Sequence, residues 1–403
     1  MKRNRFSHYG FVSAVWLVAG ACFLGLTSAA RASDNLVAAC DRLAASPFDP
    51  EKAAPGVILE KIDAPSALEA CQAAYKAHPG LGRVAFQLGR IQLQQKNYPV
   101  ALELYRQATE KNYPLAHVDI GYIYDNGLGV AQDYATAMQH YRTAADAGIG
   151  LAMNNVGDLY AQGLGTDRDE AKATEFFQKA MEAGYDPAAY NFAKMLLMRH
   201  TPDADPAPVV KAFFEAAKRN AYAQTDIGHF YRDGSMGLPK DELAARAHFE
   251  AGVARGDHWG TLFIAQMDGF APDADETARK DAIRALKDLT TSTDESVIAP
   301  AQALLGRLLL RQDEAQARHL IEQAFAANPR LAVTMSARAA LLSSEGTLQE
   351  ADTLLAQAIE VEPTWAPLYR QRADIVEGLG DTTKAAQLRE QAETAVSGRF
   401  FLN

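Results

Sequence analysis

The side chains best able to do chemistry in this sequence are few and far apart. Two cysteines, Cys40 and Cys71, are separated by 31 positions, and a third, Cys22, sits in an apolar stretch near the N-terminus. Two thiols in an oxidising compartment usually pair, so a Cys40–Cys71 disulfide is expected; two buried free thiols are the alternative. Neither cysteine has a second Cys or His at ligand spacing, which argues against a metal site. His229, His248 and His258 fall close in sequence, but their separations match no metal motif. There is no glycine loop ending in Lys-Ser/Thr, no His-Glu-x-x-His and no Gly-x-Ser-x-Gly. Carboxylates are abundant without an obvious catalytic pair. Tyr124, Tyr160 and Tyr231 recur at one helical offset and read as core. The expectation is a protein that is not an enzyme, with no cofactor and no metal.

The N-terminus bears on compartment. Lys2, Arg3 and Arg5 precede an apolar stretch from Phe11 to Ala30, and Ala30-Arg31-Ala32 places small residues where a leader peptidase reads. This is the pattern of a secretory signal peptide over 1–32, cleaved near Ala32 or at Ala30, with a retained membrane anchor as the alternative. That segment holds four basic residues and no acidic one. Without it the chain has 36 Lys and Arg against 50 Asp and Glu. Such a balance argues against a nucleic-acid partner and against anionic membrane surfaces. Expected partners are other proteins or peptides, with no membrane insertion after cleavage. A hydrophobic content of 48% supports a packed core.

The elements that would position any site are set by a repeat. A small residue preceded by an apolar one, and often followed three positions later by Tyr, stands at Gly89, Gly121, Gly157, Ala193 and Gly228. The series continues more weakly through Ala265, Gly306, Ala339 and Ala373. A period in this range means stacked supersecondary units. Each unit reads as two helices. The first carries the small residue at a close approach. A turn such as Gly127-Leu128-Gly129 or Gly163-Leu164-Gly165 follows, and the second helix has apolar spacing such as Ala137, Tyr141 and Ala144.

Residues 116–260 resemble Sel-1-like repeats, longer-looped relatives of the tetratricopeptide repeat. The resemblance rests on small-x-x-Tyr in the first helix, Gly-x-Gly in the turn, an aromatic with Ala-Ala in the second helix, and Ala-Gly at the end. Residues 302–396 resemble ordinary tetratricopeptide repeats through Ala339, Gly346, Ala351, Ala358 and Pro363, and the unit at 84–115 has the shorter form. The implied fold class is all-α, a right-handed superhelical solenoid of antiparallel helix pairs. The expected organisation is a signal peptide at 1–32, a helical cap at 33–80 and a repeat array at 81–260. A degenerate repeat or linker at 261–301 and C-terminal repeats at 302–403 complete it. The unit at 189–222 departs from the pattern, with Pro202, Pro206 and Pro208 in place of the Gly-x-Gly turn.

The resemblance implies a periplasmic scaffold or adaptor holding extended polypeptides in a concave groove; the alternative is an accessory protein or weak hydrolase of cell-wall metabolism. Helix geometry proposes the groove residues. At about 100° per residue, the third and second positions before the small residue, and the first and fifth after it, point away from the packed side. Read along the chain, the groove candidates are Gln87, Arg90, Asp119, Tyr122, Asn126, Asn154, Asn155, Asp158, Tyr190, Asn191, Lys194, Asp226 and His229, with Gln162 among the further positions. Asn155 and Asn191, two amides at one offset in adjacent units, lead, because an amide both donates to and accepts from a peptide backbone.

Overall fold

The computed structural model describes residues 34–49, 53–201, 203–271, 274–363 and 365–395. The expected signal peptide, Cys22, Pro202 and Pro272 lie outside these residues. Among the described residues every regular element is helical. Two compact units meet between Tyr185 and Asp186.

The first unit begins with a helix over residues 34–44 (α1) and a loop that runs to a single 3-10 turn at Leu59–Lys61. It continues with α2 (Ala64–Ala77), α3 (Gly82–Gln94), α4 (Tyr98–Glu110), α5 (Leu115–Asn126), α6 (Tyr134–Asp146), α7 (Gly150–Gln162) and α8 (Glu170–Glu182). Helices α3 and α4, α5 and α6, and α7 and α8 pack as successive pairs. The second unit holds α9 (Ala188–Arg199), α10 (Ala207–Ala217), α11 (Ala221–Asp233), α12 (Glu242–Val253), α13 (His258–Phe270) and α14 (Glu276–Leu289). It ends with α15 (Ile298–Leu309), α16 (Glu314–Ala327), α17 (Ala332–Ser344), α18 (Leu348–Val361), α19 (Ala366–Gly378) and α20 (Thr382–Thr394), again in consecutive pairs. Residues 258–289 thus form a helix pair like its neighbours, and Pro206 and Pro208 stand at the start of α10.

Local chemistry explains the boundaries. Asp133 accepts a hydrogen bond from the Thr136 amide, and Asp169 from the Lys172 amide, at the starts of α6 and α8. Such caps are worth roughly 1 kcal/mol each. Gly127 and Gly163 end α5 and α7 in the left-handed conformation, at φ of 64° and 71°, and two residues later Gly129 and Gly165 repeat it. Two successive left-handed residues around one leucine reverse the chain within a few positions.

The small residue of each first helix lets its partner helix come close. A Cβ built on Gly157 would lie 2.7 Å from Cε1 of Phe177, a ring that is almost wholly buried, and at Gly121 the same atom would meet the ring of Tyr141. The rings fill the space that a methyl group would take. Gly157→Ala should therefore destabilise the first unit by about 1–3 kcal/mol through overpacking. Urea unfolding checks this, and a variant within about 0.5 kcal/mol of the parent would show that the pair can slide apart.

The recurring tyrosines lie against the second helix of their own repeat. Tyr160 is buried beside Phe176, with ring centroids 5.8 Å apart. Tyr124 stacks on His140 at 6.2 Å, and Tyr231 on His248 at 5.5 Å.

Candidate partner-binding site

In the first unit the N-terminal segment occupies part of the face assigned to a groove. Cys40 of α1 and Cys71 of α2 are joined in a disulfide, and both are fully buried. Gln87 of α3 donates through Nε2 to Oδ1 of Asp41 at 2.7 Å. Arg90 donates through Nη1 to the carbonyl of Ala44 at 2.6 Å and through Nη2 to that of Val57 at 2.7 Å. Burial lowers the Arg90 pKa from its ordinary value, and the nearby Asp119 carboxylate opposes that shift. Further along, the Tyr113 hydroxyl donates to Asp49, and the Phe48 ring meets the Tyr185 ring edge-on at 5.6 Å.

These contacts correct the expectation for Gln87 and Arg90. Helix counting placed them on an open face, but α1 and its loop lie over them, so they hold the cap and are closed to a partner. Asp119 is drawn into the same region. Enclosure of its carboxyl pushes its pKa up to about 7, against the pull of Arg90. Asn154 is also buried, and its Nδ2 donates to Asp158 Oδ2 at 2.9 Å.

The open part of this face lies between α5 and α7. A cleft of about 410 Å³ is lined there by Tyr122, Asp125 and Asn126 of α5 and by Asn155, Asp158, Leu159 and Gln162 of α7. Gln132, Tyr134, Tyr141 and Leu164 complete it from the turns and α6. Tyr122 is 42% exposed, and Asn126 and Gln162 are exposed as well. The walls are braced from within. Asn126 Nδ2 donates to the Tyr122 carbonyl at 2.9 Å, Gln132 Nε2 to the Asp125 carbonyl at 2.7 Å, and the Tyr141 hydroxyl to Asp125 Oδ2 at 3.1 Å. Partial burial raises the Asp125 pKa, and the bond from Tyr141 offsets some of that.

Of the residues proposed from sequence, Tyr122, Asn126, Asn155 and Asp158 come together here, with Gln162 beside them. Asp125, Gln132, Tyr134 and Tyr141 join the cleft without having been proposed. The count along first helices ignored the turn that follows each of them. The apolar Leu128 and Leu164 between the paired glycines were the available signal that these turns fold back and carry side chains inward.

In the second unit the candidates cluster differently. The Tyr190 ring stacks on Tyr222 at 6.2 Å, with Lys194 Nζ 5.7 Å from the Tyr190 centroid. Asp226 accepts a hydrogen bond from Tyr190, while its Oδ2 is enclosed with no hydrogen-bond partner among the described residues. Enclosure pushes its pKa up to about 7. Asn191 is half-buried. His229 is a second correction. It is buried, its ring 4.2 Å from that of Phe263 and 5.2 Å from that of Phe249, because α13 packs over the position that was expected to be open.

Five stretches of the chain match one family description, the Sel1 repeat, at residues 80–113, 114–149, 150–185, 221–257 and 299–329. The chain carries Sel1 repeats. The stretch between the third and fourth Sel1 repeats contains the unit that lost its Gly-x-Gly turn. The Sel1 repeats at 80–113 and 299–329 lie where the sequence has the shorter-looped form.

Solved structures agree on the fold. A Sel1 repeat protein from Oxalobacter formigenes is 25% identical over 60% of this chain and 96% of its own, with a TM-score of 0.51. A protective antigen present in uropathogenic Escherichia coli strains, displaying an SLR fold, is 20% identical over 93% of this chain and 83% of its own, with a TM-score of 0.57. No curated protein matches the chain. Sel1-repeat folds are generally protein–protein interaction scaffolds and typically non-catalytic. No described helix is long and apolar enough to cross a membrane.

Proposed function

We propose that this chain is an exported scaffold that holds an extended stretch of another protein along the inner face of its first-unit repeats. The observation that carries the reading is the convergence of Tyr122 and Asn126 from one repeat with Asn155, Asp158 and Gln162 from the next on a single open cleft. Three of these five are amides, which can pair with a peptide backbone whatever its sequence. The bracing bonds fix the walls beforehand, so little ordering is needed on binding. The leader-like N-terminus and the paired Cys40 and Cys71 support a periplasmic location, since structural disulfides persist in oxidising compartments.

The test is a parallel pull-down from an envelope extract with the parent and with Asn126→Ala/Asn155→Ala. Loss of two backbone-directed hydrogen bonds at roughly 1 kcal/mol each should weaken the recovered partner about tenfold or more. The circular dichroism melt should be unchanged, because both side chains reach solvent. Equal affinity of the two proteins for the recovered partner would move the binding surface elsewhere. Turnover of peptidoglycan by the purified protein would replace the scaffold reading with an enzymatic one.

A further inference from the structure

We infer that Arg307 of α15 seats an aspartate or glutamate side chain of a bound polypeptide, on the face that the first helices of the last repeats turn away from their partner helices. The occupant, a polypeptide, rests on the proposed function; the site rests on residues of the second unit alone. Arg307 stands one position after the small residue Gly306, Ser336 three before Ala339, and Gln371 two before Ala373. At these offsets a first helix faces away from its partner. Hydrogen bonds join the three side chains. Arg307 Nη1 donates to Ser336 Oγ at 3.1 Å, Ser336 Oγ donates to Gln371 Oε1 at 2.5 Å, and Gln371 Nε2 donates to the Ser336 carbonyl at 2.9 Å. One polar chain thus spans α15, α17 and α19 and holds the guanidinium in place before anything binds.

Among the described residues this guanidinium has no counter-charge. Its hydrogen-bond acceptor is the neutral Ser336 hydroxyl, and the Phe270 ring centroid lies 4.9 Å from its central carbon. Burial lowers its pKa to about 10, and no carboxylate opposes the shift. Its neighbours differ. Arg318, Arg338, Arg372 and Arg389 pair with carboxylates, and Arg311 and Arg330 are exposed to water. The enclosed Arg90 has two carbonyls and a nearby carboxylate. A charge drawn out of water without an anion is costly, and a ring face recovers only part of that cost. The unused edge of Arg307 has a definite shape. Neither Nε nor Nη2 has an acceptor among the described residues, and neither is enclosed, so both reach solvent. Their N–H groups run parallel and match the two oxygens of a carboxylate. No second cation acts on Arg307, so the site answers the single charge of a carboxylate better than the nearly double charge of a phosphate.

Two peptides that differ only in charge test the inference. Each is a short Ser/Ala/Gly peptide, acetylated and amidated at its ends, with one central residue, glutamate in the first and its neutral isostere glutamine in the second. Affinities are read from chemical-shift titrations of the full chain, which follow dissociation constants up to about 1 mM. The glutamate peptide should bind about tenfold more tightly than the glutamine peptide. Arg307→Gln should abolish that preference, and Asn126→Ala/Asn155→Ala in the first unit should leave it intact. Arg307→Lys keeps the charge and loses the fork, so it should retain a smaller preference; it serves as the test where Arg307→Gln does not fold. If both peptides bind the parent equally, the polypeptide-holding reading stands and the carboxylate site is wrong. A preference that survives Arg307→Gln, or that disappears in the first-unit variant, also overturns the site. Acetate binding as tightly as the glutamate peptide would make the occupant a free anion and not a polypeptide. If neither peptide binds, the polypeptide reading fails and this site fails with it.

Discussion

Replacing Cys40 and Cys71 together with alanine is expected to cost about 3–4 kcal/mol, the loop-closure entropy of a cross-link spanning 31 residues. The bond also lies within a buried cluster of the first unit. Cys40 and Cys71 are buried with Val37, Ala44, Ala67 and Ala74, and the same packing carries Val84, Leu88 and Ile91 of α3. Releasing α1 frees Asp41 from Gln87 and removes the Ala44 carbonyl from Arg90, leaving a guanidinium in a site shaped for two acceptors. An unpaired charge there is costly to keep and must be rehydrated by opening the cap. Urea unfolding of the parent with and without reductant, beside the double variant, measures this. Reductant should bring the parent to the stability of the variant and no further. Coincident transitions for oxidised parent and variant would mean that α1 is held by side-chain contacts alone.

The second large effect is a stabilisation. Asp226→Asn should make the protein more stable at pH 8 by about 2–4 kcal/mol, with little change at pH 4. In the fold the carboxyl is enclosed beside Tyr190, and burial moves its pKa from 3.8 up to about 7, with the neighbouring Asp257 acting in the same direction. The native state therefore holds a proton that the unfolded state has already released. Stability from this group is complete below the unfolded pKa near 3.8 and is lost as pH rises through about 7. Asparagine keeps an oxygen for the Tyr190 hydroxyl and carries no charge at any pH. Thermal melts across pH 4 to 8 should show a shallower decline for the variant than for the parent. A residual slope should remain from Asp119, whose pKa is raised in the same way. Parallel curves would show that Asp226 stays ionised in the fold, neutralised by Lys194.

Much of the architecture was legible because a repeat states its own geometry many times. The series at Gly89, Gly121, Gly157 and Gly228 marks real close approaches, each against the ring of Tyr105, Tyr141, Phe177 or Phe249. The glycine turns at 127–129 and 163–165 adopt the backbone angles their composition demands. The pairing of Cys40 with Cys71 was the expected one of two readings, since two thiols in an oxidising compartment usually pair. The candidate site was less legible. Offsets along one helix say which side faces away from the adjoining helix, and nothing about what else covers that side. Gln87 and Arg90 occupy the same offsets as Asn155 and Asp158, yet the cap lies over the first pair while the second pair lines the cleft. His229 was lost for the same reason, since Phe263 stands 34 residues further on, in a helix whose packing no local count reveals. Asp125 and Tyr134 were missed in the opposite direction, being supplied by positions outside the counted set.

The boundaries between units of this array have a consequence for how such a chain can change over time. Gly148 and Gly184 close successive repeats with φ of 86° and 82°, and a Cβ on either would meet nothing within 4 Å. The joints are thus nearly identical and uncrowded, so a segment running from one to the other is a self-contained cassette. Recombination that duplicated or removed residues 149–184 would present matching ends to its neighbours and alter the inner face by one whole step. The cap has no such freedom. Asp41, Ala44, Asp49 and Val57 engage particular side chains of α3 and of the loop before α5, so a cassette exchanged at that end would arrive without the partners it needs. The middle of the array is open to length variation, while its beginning is fixed.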